Sequence, residues 1–144
     1  MNANLPAPVA PSIFSRLPAE VFRLLATDSR ELMWELLVVL HDTFFGPDAT
    51  QGEESYLRRF IIGEIERFLV AAEGKRSWNS EEGWSPDTPL NVRANQLLDR
   101  LVATGWLVED TEGVRKLIAM TPTMQKFLEL LMQYAEEGPK LVGG

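Results

Sequence analysis

One stretch, TPLNVRANQLLDRLVATGWLVEDTEGVRKLIAMTP at 88–122, limits the folds open to this chain more than any other feature. Leu90, Ala94, Leu97, Leu98, Leu101 and Val102 recur at spacings of three and four, which draws one apolar stripe along a helix at 89–104. Arg93, Gln96 and Arg100 fall on another side of that helix. Gly105 follows the last periodic residue, where a left-handed backbone frees the final carbonyls to be capped and glycine adopts it without strain. Trp106, Leu107 and Val108 begin a strand, 109–113 is a polar reversal, and 114–120 runs back with Leu117 and Ala119 alternating against Lys116 and Ile118. Thr121-Pro122 then starts a new helix, because threonine can accept a bond from the first free N–H groups and proline has none to leave unpaired. Helix, hairpin and helix in that order make the C-terminal half of a winged helix. The expected fold is mainly α with a small β-hairpin: a helix-turn-helix plus wing, with extra N- and C-terminal helices.

The rest of the chain fills in around that unit. Residues 1–12 hold three prolines and no charged side chain, and read as a flexible tail. Ile13, Phe14, Leu17, Val21, Phe22, Leu24 and Leu25 crowd the next segment, with a helix expected at about 18–26. Their apolar side chains spread too widely for one helix face, so part of the segment is expected to meet a second surface. Asp28 or Ser29 can cap a second helix that carries Leu32, Leu36, Val39 and Leu40 inward and runs to Phe45. Gly46-Pro47-Asp48 stops it. A third helix is expected at 52–73, with Leu57, Phe60, Ile61, Ile65, Phe68 and Leu69 inward and Arg58, Arg59, Glu64, Glu66 and Arg67 toward water. Gly63 interrupts it, which points to close backbone packing there. The loop at 74–87 carries Trp78 and Trp84, as anchors for a partner or as a lid on the domain's own core. A last helix carries Met124, Phe127, Leu128, Leu131 and Tyr134 and fades at Glu136-Glu137-Gly138-Pro139. One domain is expected at 13–137, with 138–144 the start of a linker into a longer chain.

Several classes of chemistry find no residues here. With no cysteine in 144 residues there is no disulfide, thiolate metal site or cysteine nucleophile. His41 is the single histidine, beside Asp42 in an apolar helix, so neither a metal site nor a general base is expected. The glycines form no phosphate-binding loop, and no cofactor, metal or enzyme activity is expected. No segment approaches the ~20 apolar residues that span a bilayer, so no membrane contact and a cytoplasmic location are expected. Binding to DNA through the winged helix would place Arg93, Gln96 and Arg100 at bases and Arg115 and Lys116 at phosphates. Those four cations are balanced within 88–122 by Asp99, Glu109, Asp110 and Glu112, and the whole chain carries a formal charge of −7. A specific DNA grip normally needs a strongly positive surface, so a protein-binding winged helix is favoured, with DNA contact weak and non-specific at most.

NVRANQLLDRLVATGWLVED, followed after a short wing by RKLIAMTPTMQKFLELL, resembles the N-terminal winged-helix domain of the MukF-type kleisins, and more closely their relatives MksF and JetA from MksBEF and Wadjet systems. PSIFSRLPAEVFRLLATDSRELMWELLVVLHDTFF is similar to the opening of JetA. The resemblance implies a subunit that bridges SMC ATPases in a complex that extrudes DNA loops and, in Wadjet, acts against plasmids. It further implies that this winged helix is a homodimerisation module, and that SMC and KITE partners are engaged by parts of the full-length chain outside it. Joined to the apolar excess near the N-terminus, it puts the dimer contact at Ile13, Phe14, Leu17, Phe22 and Leu25. The alternatives are a dimeric DNA-binding regulator of the MarR or PadR kind and a winged helix used solely for docking in another assembly.

Overall fold

The computed structural model describes residues 10–49, 52–73 and 87–138. The loop with Trp78 and Trp84, most of the 1–12 tail and 139–144 lie outside them. A 3-10 turn at Ile13–Ser15 and a single helical turn, α1 (Val21–Leu24), lead into α2 (Arg30–Leu40). A π-helical turn, His41–Phe45, closes α2. Strand β1 (Tyr56–Leu57) passes directly into α3 (Arg58–Ala72), and α4 (Leu90–Ala103) follows. The hairpin of β2 (Val108–Glu112) and β3 (Arg115–Ala119) then hands the chain to α5 (Pro122–Glu137). This is a mainly helical winged helix with a small antiparallel sheet in the order β1-β3-β2.

Local signals place the helix ends of its second half. Gly105 has φ +88°, and a Cβ there would lie 2.8 Å from Cγ of Pro18, so both the backbone and the close approach of the N-terminal segment require glycine. Thr121 accepts a hydrogen bond from the N–H of Met124 at 3.3 Å, with Pro122 in the first helical position. Ala94, Leu97, Leu98 and Leu101 are wholly buried, as the stripe on α4 requires.

Where long-range pairing decides, the sequence expectations need correction. Residues 52–57 are not helical: Tyr56 and Leu57 pair with Ile118 and Leu117 as a third strand, and α3 starts only at Arg58. The hairpin turns two residues later than expected, because Glu109 to Glu112 all pair with β3 and only Gly113-Val114 form the loop. Gly113, at φ +63° in the first loop position with no positive φ at Val114, matches the tight turn whose twist suits a two-residue hairpin. On β3 the inward residue is Ile118, wholly buried, with Leu117 and Ala119 half-buried. Lys116 shares the face of Ile118 but lies beyond the end of β1, so it reaches water. The helix expected at 18–26 is a single turn. Ser29 stands at the start of α2 without a side-chain cap bond. Phe60 is exposed rather than inward, and a Cβ on Gly63 would meet only the tip of Arg67, at 4.0 Å. No close packing explains that glycine.

One core takes in side chains of α2, α3, α4 and the N-terminal segment, and within it Trp106 ties the N-terminal segment to α5. Its ring is wholly buried and stacked on Phe127 at 5.8 Å, and its indole N–H donates to the carbonyl of Val21 at 2.9 Å. At the other end, the π turn sets Phe44 and Phe45 around Tyr56, whose hydroxyl donates to the Phe44 carbonyl at 3.0 Å.

His41 begins that turn and is buried between two carboxylates. Its Nδ1 lies 3.0 Å from Asp42 and its Nε2 2.8 Å from Glu129 on α5. Burial lowers its pKa, but the hydrogen bonds and charges of Glu129 and Asp42 outweigh burial and raise it above the ordinary value of 6.5. A raised histidine contributes stability that is full below its unfolded pKa and is lost as pH rises through the folded value. Glu129→Gln is therefore expected to lower the melting temperature more at about pH 6 than at about pH 9. Melting curves across that range check this, and an equal drop at both ends would exclude the charged tie.

Candidate functional site

Two surfaces of this winged helix are candidates for function, and the first is the face that α4 and the wing would turn to DNA. Arg58, expected to point at water, is its organising residue. From the start of α3 its guanidinium donates to Glu109 on β2 at 2.7 Å, to Asn95 on α4 at 3.0 Å and to Asp99 on α4 at 2.7 Å. Burial lowers the pKa of Arg58, but the two carboxylates raise it overall, so the group stays charged. Its charge is directed at side chains of its own domain.

Of the sequence-predicted DNA residues, Arg115 and Lys116 line one groove with Arg58, while Arg93, Gln96 and Arg100 are not among its lining residues. Arg93 and Arg100 are half-buried on α4, Gln96 is exposed, and Arg115 and Lys116 are exposed on β3. Exposed Asp99, Asp110 and Glu112 share the same helix and wing. Seating α4 in a major groove, roughly 12 Å wide, would carry these acids toward phosphates. The arrangement suits ordering the wing against α3 and α4 better than reading a duplex.

The second surface is apolar. Ile13 and Phe14 are 53% and 59% exposed, and on α5 Leu130 and Tyr134 are 53% and 63% exposed. Ile13, Leu17, Phe127 and Leu130 line one groove of about 550 Å³ between the N-terminal segment and α5, with Arg16 and Lys126 at the same groove. The five residues expected at a dimer contact separate here. Ile13 and Phe14 are exposed, but Leu17 is buried in the chain's own core, and Phe22 and Leu25 are half-buried against it. Phe22 lies edge-on between Phe14 at 5.9 Å and Phe127 at 6.0 Å. Sequence reasoning missed Leu130 and Arg58. Leu130 stands off the inward stripe of the last helix, a signal that was available. Nothing in the sequence marks Arg58 out from neighbouring Arg59.

The described helices include none long and apolar enough to cross a membrane. A family model described as Wadjet protein JetA matches residues 47–144, which takes in the sheet, α3, α4 and α5. No curated protein and no solved structure matches the chain.

Proposed function

The chain belongs to the Wadjet JetA family, and on that premise we propose that this winged helix is the dimerisation module of a kleisin subunit that bridges SMC ATPases in a loop-extruding, plasmid-directed complex. The observation that carries the reading is the exposure of Ile13 and Phe14 in the N-terminal segment and of Leu130 and Tyr134 on α5, with Ile13 and Leu130 lining one groove, in a chain with a formal charge of −7. The balanced charge of the wing and α4 supports it from the other side, since a phosphate grip would need an excess of cations there. SMC and KITE partners are then engaged by other parts of the full-length protein. The domain carries no ATPase or nuclease activity of its own, and it meets DNA weakly and without sequence preference.

Ile13→Asp and Leu130→Asp test the dimer, because both side chains are exposed and tolerate the change without loss of core. Phe22→Asp would test folding instead. Burying one such side chain is worth about 1.5–3 kcal/mol, and in a two-fold interface each substitution acts twice. Light scattering is expected to show a dimer for the wild type at micromolar concentration and, for the double variant, a monomer that still melts cooperatively, with a melting temperature that no longer depends on protein concentration. A monomeric wild type, or a dimer that survives both substitutions, would remove the role. Tight binding to one defined DNA sequence at physiological salt would support the regulator reading instead. In the reconstituted full-length assembly, the same double variant is expected to leave single motor units assembled and to abolish their pairing.

A further inference from the structure

The wing, the start of α3 and Asn91 and Asn95 of α4 border an open groove of about 730 Å³ that the dimer reading does not use. Its apolar lining comes from Leu57, Ile62 and Val114. Its charged lining is Arg58, Arg59, Arg115 and Lys116 against one acid, Glu66. Arg58 is already satisfied by Asp99 and Glu109, so the charge offered to a ligand is that of three cations and one carboxylate. This is a local positive excess on a strongly acidic chain. Arg59 is held over the exposed ring of Phe60 at 5.2 Å.

The backbone adds to the same character. β1 pairs with β3 only at Ile118 and Leu117, because the chain turns into α3 at Arg58. Beside Arg115 and Lys116 no described strand covers that side of β3. The first turn of α3 contains no acidic residue, and its N-cap, Leu57, supplies no side-chain cap, so the positive end of the helix dipole adds to the field at the groove.

We propose that this groove docks an extended acidic peptide segment of a protein partner, laid along the open end of β3 with its carboxylates on Arg59, Arg115 and Lys116 and its apolar side chains on Leu57, Ile62 and Val114. An added strand gains main-chain hydrogen bonds from the sheet edge and specificity from alternate side chains. The volume lies within the roughly 300–1,000 Å³ of a bounded ligand site. Asp99, Asp110 and Glu112 are not among the residues that line it, whereas a duplex laid across the wing and α4 would have to pass over all three. None of the groove's residues belongs to the proposed dimer surface, and the inference stands whether or not the domain dimerises.

Fluorescence anisotropy with a labelled peptide of alternating glutamate and valine tests it, beside a control that keeps the valines and replaces every glutamate by lysine, and a random-sequence duplex at the same salt. The acidic peptide is expected to bind, the basic one not, and the duplex more weakly than the acidic peptide. Arg59→Glu with Lys116→Glu is expected to weaken acidic-peptide binding at least about tenfold, with an unchanged melting curve. If the charge-reversed protein does not fold, Arg59→Gln with Lys116→Gln makes the same comparison. Amide shifts on titration are expected at Arg115 and Lys116. Equal binding of the basic peptide, binding indifferent to both pairs of substitutions, or a duplex bound more tightly than the acidic peptide through these same residues would overturn the proposal.

Discussion

Trp106→Ala is expected to cost about 3–5 kcal/mol of folding stability, the range for removing a large buried aromatic. Three effects combine at this position. The wholly buried indole leaves a cavity, its stack with Phe127 is lost, and the carbonyl of Val21 loses its donor. A domain of this size commonly has about 5–15 kcal/mol in total, so the variant is expected to be marginal at physiological temperature. Trp106→Phe separates the effects, because it keeps a ring against Phe127 and removes only the N–H and part of the volume. It is expected to cost about 1–3 kcal/mol, set chiefly by the unsatisfied Val21 carbonyl. Urea titration of the three proteins measures both differences. A cost below about 1 kcal/mol for Trp106→Ala would mean that the N-terminal segment does not depend on this residue.

Arg58→Ala is expected to cost about 2 kcal/mol, less than a fully buried ion pair would, because Asp99 is 68% exposed and partly served by water. The main loss is at Glu109, whose side chain is 24% exposed and would be left with its charge poorly solvated. Arg58→Lys is not expected to rescue it, since one ammonium cannot reproduce a planar fork that reaches β2 and α4 together. A double-mutant cycle with Glu109→Gln is expected to give a coupling of about 1–2 kcal/mol. Additive behaviour in that cycle would mean that the contact contributes nothing to holding the wing.

The parts of the fold that were legible in the sequence are those whose cause is local. Thr121-Pro122, Gly105 and the stripe on α4 each act within a turn or two of their own position, and each is in place. Strand β1 was illegible because two residues have no strand character alone; Tyr56 and Leu57 become a strand only when Ile118 and Leu117 arrive beside them. The phase of β3 was lost for the same reason, as residues on both faces are apolar and only the partner elements decide that Ile118 goes inward. Arg58 looked like a solvated helix residue because periodicity assigns faces within one helix and says nothing of carboxylates on Asp99 and Glu109, far along the chain. Of the surface residues, Ile13 and Phe14 could be named because a short segment was too apolar for itself. Which of its neighbours stay exposed depends on how Leu17, Phe22 and Leu25 settle against the core, and that is a tertiary outcome.

The bond from Trp106 to Val21 joins positions 85 residues apart. During synthesis the N-terminal segment emerges first, yet the ring that anchors it and the glycine that makes room for Pro18 are made much later. Contacts of such separation form only after the intervening chain has been organised. The groove that joins Ile13 to Leu130 therefore exists only once α5 has docked on the N-terminal segment, and a copy in which it has not has no such groove to offer. Pairing of subunits through it would admit only copies in which this domain has folded.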